Sequence, residues 1–228
     1  MSATRERILP TYIWEAPVRI WHWVMVTCLV VLASTGYLIG SPPPSITGEG
    51  YDHFMFGYVR FAHFTAGLLF AVMFVLRVVW AFLGNRFSRE MFLVPLKMFS
   101  PTWWSGLAKQ IQHYLFVRDE VQPWLGHNPL SAAGTFSMYV LGTIFMICTG
   151  LAMYGEDLGM HSWVYGAFSS WVLPLLGYSQ NVHTLHHLGM WYLIVFAIIH
   201  VYLVLREDIC SGETVVSTMV NGWRVPSK

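Results

Sequence analysis

The residues best placed to do chemistry in this 228-residue chain are its histidines, of which there are ten. In the last long apolar stretch, His186 and His200 are 14 positions apart, which on a helix leaves them about 40° apart in phase and about 21 Å apart along the axis. They share one face at two depths. The adjacent histidines fail the same test, because His187 is about 140° and His183 about 100° out of phase with His200. A helix offering two imidazoles at two depths needs two partners, and His22 and His63 each open an earlier apolar stretch. Neutral imidazole is a good axial ligand for iron. Two imidazoles on one iron leave no open position for substrate, which suits electron transfer rather than oxygen chemistry.

The elements that must carry these side chains follow from composition. Hydrophobic residues make up 55% of the chain and charged residues 11%, with a mean hydropathy of +0.51, whereas an ordinary soluble domain is about 25% charged. Four segments, approximately 20–40, 59–83, 131–153 and 184–205, are each long enough to cross about 30 Å of hydrocarbon as a helix. Gly40-Ser41-Pro42-Pro43-Pro44 ends the first, Gly84-Asn85 ends the second, and His127-Asn128-Pro129 opens the third. The expected fold is an all-α integral membrane bundle of four transmembrane helices, forming one domain over residues 1–228.

The connections divide by sign. Glu49 and Asp52 in loop 41–58, and Glu156 and Asp157 in loop 154–183, stand with no Lys or Arg. Arg5, Arg7 and Arg19 precede the first span, Arg86, Arg89, Lys97, Lys109 and Arg118 follow the second, and Arg206, Arg224 and Lys228 follow the fourth. The positive-inside rule then predicts that both termini and the central connection are cytoplasmic. That direction pairs His22 with His200 near the inner side and His63 with His186 near the outer side. Within the central connection, residues 101–117 mix Trp, Leu, Ile and Phe with Lys109, Gln110 and Gln112, a composition that fits either a helix lying on the inner surface or a loop.

Other residues bound the chemistry. Cys28, Cys148 and Cys210 are too few for a four-cysteine iron–sulfur site, and with no C-x-x-C-H run any haem is held non-covalently. The N-terminus lacks a signal-peptide pattern, so the first helix is expected to be retained. Gly67, Gly189, Gly36 and Gly150 offer gaps for a macrocycle or for close helix approach. Arg19, Arg60 and Arg77 could pair with haem propionates or snorkel to the interface. His53, His161 and His113 read as solvated, and His183 and His187 as rim residues.

YIWEAPVRIWHW (12–23), GYVRFAHF (57–64), GNRFSRE (84–90), GHNP (126–129), HTLHHLGMW (183–191) and REDICSGETVVSTMVNGWR (206–224) together resemble the cytochrome b subunit of membrane-bound Ni/Fe uptake hydrogenases. The resemblance runs from about residue 11 to 225. It implies two haems b, ligated at His22, His63, His186 and His200. It also implies a bacterial inner-membrane location and, on the extracytoplasmic side, hydrogenase small and large subunits whose iron–sulfur relay feeds electrons to the membrane quinone pool. H2 oxidation itself would lie outside this chain. The sequence is similar as well to formate dehydrogenase cytochrome subunits, in which an Asn before the third helix and the cytoplasmic haem ligand border the menaquinone pocket. That similarity suggests His127, Asn128 and His200 as quinone contacts, although the sequence from Pro129 onward departs from those relatives. Asn128 followed by Pro129 equally suits a helix N-cap.

Four rival classes make different demands. A proton or ion transporter calls for acidic groups inside the spans, where Asp and Glu are almost absent. An intramembrane metalloprotease requires a carboxylate beside its metal ligands, and 183–187 contains no H-E-x-x-H. A pure anchor would tolerate loss of all four histidines. A cytochrome b of another quinone-linked dehydrogenase would share the haem sites and differ in its partner.

Overall fold

The computed structural model describes residues 9–43, 54–117 and 126–225. Arg5, Arg7, Glu49, Asp52, His53, Arg118 and Lys228 lie outside the described residues. Four helices are long and apolar enough to cross a membrane: α1 (Ala16–Gly40), α2 (Met55–Leu83), α4 (Pro129–Leu158) and α6 (Ser179–Ser211). They run several residues past most of the apolar limits read from sequence, because amphipathic turns at the interfaces continue the helical hydrogen bonding. Segment 101–117 is resolved as a helix, α3 (Pro101–Tyr114), with Pro101 in its first turn.

Several elements go beyond the sequence expectation. Loop 154–183 contains a short apolar helix, α5 (Tyr165–Leu176), which opens with a π-helical turn over Tyr165–Ser169. A further helix, α7 (Val215–Asn221), follows α6. Two short strands, β1 (Thr11–Tyr12) and β2 (Trp223–Arg224), pair antiparallel with Thr11 opposite Arg224.

The chain gathers into two compact units: one of residues 1–22, 77–137 and 197–228, the other of residues 23–76 and 138–196. The first holds the ends of the chain and the central connection. Beside the β1–β2 pair, the buried ion pair Arg224–Glu213 at 2.6 Å fixes the tail, and Arg19 donates to the Val220 carbonyl in α7. Glu15 Oε2 receives the Trp80 indole N–H at 3.1 Å, the Asn85 backbone N–H at 2.9 Å and the Ser88 hydroxyl at 3.0 Å. Asn85 in turn donates to the Ile13 carbonyl at 2.9 Å. The described stretches 13–19, 85–88 and 220–224 therefore meet, which brings Arg19, Arg86, Arg89 and Arg224 into this unit.

In the second unit, α5 folds back so that Val172 joins Ala152 and Val182 in a buried cluster, flanked by Cys148, Phe168 and Leu176. Ser169 donates to the Ala152 carbonyl at 2.6 Å. Gly155 permits this contact, since a Cβ there would meet Ser169 Oγ at 2.5 Å and the Tyr165 backbone N at 2.9 Å.

Candidate cofactor sites

In the first unit, α1 carries His22 and α6 carries His200, and their ring centroids are 6.5 Å apart with an interplanar angle of 48°. In the second, His63 on α2 and His186 on α6 are likewise 6.5 Å apart, with the rings at 70°. A metal–imidazole bond is about 2.0 Å, and a ring centroid lies about 1.2 Å behind its nitrogen. Two imidazoles bound to one metal would thus place their centroids up to about 6.4 Å apart. Both gaps match.

The second-unit pair is further seated by α1 and α4. Thr35 Oγ lies 2.8 Å from His63 Nδ1, and Thr149 Oγ lies 2.7 Å from His186 Nδ1. A Cβ on Gly36 would meet His63 Cε1 at 3.2 Å, and one on Gly150 would meet His186 Cε1 at 3.3 Å. All four spans thus reach this pair. The neighbouring histidines do not. His187 accepts the Trp191 indole N–H at 3.2 Å and lies against Gly40, while His183 and His161 are exposed.

Around His22 and His200, the first unit concentrates polar and aromatic groups. Arg77, only 3% exposed, places its guanidinium 5.2 Å from the Trp21 ring and 5.3 Å from the Phe92 ring and donates to the Ser88 carbonyl. These contacts make Arg77 a clamp between α1, α2 and the central connection. Arg19 is engaged with Val220, as above, and Arg60 is exposed on α2.

His127 donates its backbone N–H to Glu90 Oε2 at 2.9 Å and stands edge-on to Trp14 at 5.3 Å. Asn128 Oδ1 caps α4 by accepting the Ser131 N–H at 2.7 Å. Its Nδ2 donates to Tyr114 Oη at 3.3 Å, and Tyr114 donates onward to Glu207 at 3.4 Å. Burial, followed by the nearby Glu207 carboxylate, pushes the Tyr114 hydroxyl up from its ordinary pKa. For Glu90, burial works to raise the pKa, but the hydrogen bonds and charge of His127 outweigh it and hold the carboxyl below its usual range. His113, expected to be solvated, is instead buried, and Arg206 reaches over the end of α3 to hydrogen-bond its carbonyl.

The family model for prokaryotic cytochrome b561 matches residues 13–222. The chain belongs to that family. It is a membrane cytochrome of b type, and haem b is the group such a protein carries. Its relatives agree in kind. It is 50% identical over 214 residues to the probable Ni/Fe-hydrogenase B-type cytochrome subunit of Azotobacter vinelandii, covering 94% of this chain and 88% of the relative. The protein of the same description from Cupriavidus necator is 49% identical over 222 residues, covering 97% and 90%. The probable Ni/Fe-hydrogenase 1 B-type cytochrome subunit of Escherichia coli K12 is 45% identical over 230 residues, covering 98% and 94%.

The cytochrome's residues fit its cofactor on geometry as well as on chemistry. Four imidazoles form two gaps of ligand–iron–ligand size, and glycines border the rings of one pair. Of the four glycines considered in the sequence, Gly36 and Gly150 face histidines. Gly67 has only Leu32 nearby, and Gly189 packs against Met146 and Phe145 of α4. The residues that sequence reasoning missed are Thr35 and Thr149. Their signal was a Thr-Gly dipeptide repeated at 35–36 and 149–150.

Proposed function

We propose that this cytochrome is the membrane subunit of a Ni/Fe hydrogenase and holds two haems b, one between His63 and His186 and one between His22 and His200. The two matched ring separations of 6.5 Å carry the reading. The bound haems would supply one-electron carriage between the hydrogenase's extracytoplasmic subunits and membrane quinone. The chain's own part is to ligate, to seal water from the ligands and to set their spacing.

The basic segments gathered in the first unit support a cytoplasmic position for the termini and for His22/His200, leaving His63/His186 on the outer side. At the inner side, His127, Asn128 and His200 are the candidate quinone contacts. Asn128 has one Nδ2 hydrogen beyond the one given to Tyr114, so it can cap α4 and still donate to a quinone carbonyl. Glu90 holds His127 beside it. The Asn128–Tyr114–Glu207 hydrogen bonds hold the amide in place for that contact.

A reduced-minus-oxidised optical spectrum with haem-to-protein stoichiometry tests the reading. Two b haems per chain are expected. A His200→Ala variant that keeps both would overturn the ligand assignment, and a wild-type chain with none would leave an anchor.

A further inference from the structure

The Thr-Gly dipeptide at 35–36 on α1 and the one at 149–150 on α4 make the same two contacts to two different histidines. In each case the threonine hydroxyl meets Nδ1 and the following glycine lies where a Cβ would press on Cε1 of the same ring. The direction of the hydroxyl bonds is settled by the helices. Thr35 Oγ is 2.6 Å from the Val31 carbonyl and Thr149 Oγ is 2.8 Å from the Phe145 carbonyl, four residues back in each helix. A carbonyl only accepts, so each hydroxyl's single proton goes to its own helix and its oxygen faces the histidine as an acceptor. His63 and His186 must then carry their protons on Nδ1. Each is left with a bare Nε2, the nitrogen free to bind iron.

We propose that Thr35-Gly36 and Thr149-Gly150 are paired positioning devices that fix the tautomer and rotation of both axial histidines of one haem, and thereby set its reduction potential. The inference rests on His63 and His186 being ligands of a haem b. An Nδ1–H donated to an oxygen leaves more electron density on the ligating nitrogen, which favours the ferric state and lowers the potential. Because the device acts on both ligands, its two halves push the potential the same way.

The test uses the full chain, purified with its haem, in redox titrations and low-temperature electron paramagnetic resonance. Thr35→Val and Thr149→Val should each raise the potential of one haem and leave the other unchanged, the double variant should raise it further, and Thr→Ser at either position should restore it. Gly36→Ala and Gly150→Ala should alter the g-value spread of the same haem through ring rotation. Wild-type potentials in both valine variants overturn the threonine role, and wild-type g values in both alanine variants overturn the glycine role. If a valine variant loses the haem, a serine variant that keeps it supports the proposal, and a serine variant that also loses it overturns it. His63→Ala and His186→Ala run alongside. Should they retain both haems, the ligand assignment itself falls, whereas loss of one haem there with unchanged valine variants sinks only the inference.

Discussion

Glu15, just before the first span, accepts the backbone N–H of Asn85, just beyond the second, at 2.9 Å. One carboxylate oxygen thereby links the entry of α1 to the exit of α2, and the Trp80 and Ser88 side chains converge on it. Burial works to raise the Glu15 pKa, but these donors and the Arg77 charge outweigh it and hold the carboxyl below its ordinary 4.5.

The acid stability of the cytochrome follows from this link and from Glu90. Both carboxyls are depressed in the folded state. Their contribution is therefore full above the unfolded value of about 4.5 and is lost as pH falls through the lower folded values. Wild-type protein should lose thermal stability steeply below about pH 4.5, while Glu15→Gln and Glu90→Gln variants start lower and fall less. Melting curves read on the haem absorbance from pH 3 to 7 check this, and parallel curves for all three proteins would contradict it.

The ring pairs predict which variants behave alike. His22→Ala and His200→Ala should lose one and the same haem, and His63→Ala and His186→Ala the other. Potentiometric titration of the remaining haem identifies it. Different residual potentials within a pair would break the pairing.

Asn128 serves as both cap and donor, and two substitutions separate these roles. Asn128→Ala removes the cap to the Ser131 N–H and should cost about 1 kcal/mol. Asn128→Ser keeps a capping oxygen and loses the amide donor. If Asn128 binds quinone, the serine variant should melt like the wild type yet reduce quinone more slowly. Equal rates in wild type and serine variant reduce Asn128 to a cap.

Arg77→Met should leave the buried Ser88 carbonyl without its guanidinium donor and strip the cation from between Trp21 and Phe92. A loss of about 2 kcal/mol is expected. Arg77→Lys should recover little of it, because an ammonium cannot reproduce the planar stacking and fork. Chemical denaturation of the purified protein measures both.

Gly155→Ala should destabilise the second unit by about 1–3 kcal/mol, since the new Cβ meets the backbone of Tyr165. Gly67→Ala should be tolerated, with only Leu32 at 3.8 Å. Hydrogen exchange across Tyr165–Leu176 is the readout.

The four spans were legible because a bilayer demands long apolar runs, and the face shared by His186 and His200 was legible because helical phase is arithmetic. His187, rejected on phase, is turned to Trp191. Helix α5 escaped because Gly166, Pro174 and its short length read as loop, and only its seat on Ala152 and Val182 reveals why it folds. His113 was misread because its burial is a tertiary property, set where α3 meets residues as distant in sequence as Arg206, 93 positions away. Thr35 and Thr149 were passed over because a threonine within a span ordinarily satisfies itself on its own helix. These two do that and still hold a histidine.

Each histidine pair takes one member from α6, the last long helix to be synthesised. Neither pair can form while the first three spans are leaving the ribosome. If the two pairs hold haem, loading waits for α6, and a nascent chain arrested before residue 186 should emerge colourless, with His22 and His63 both waiting for the same helix.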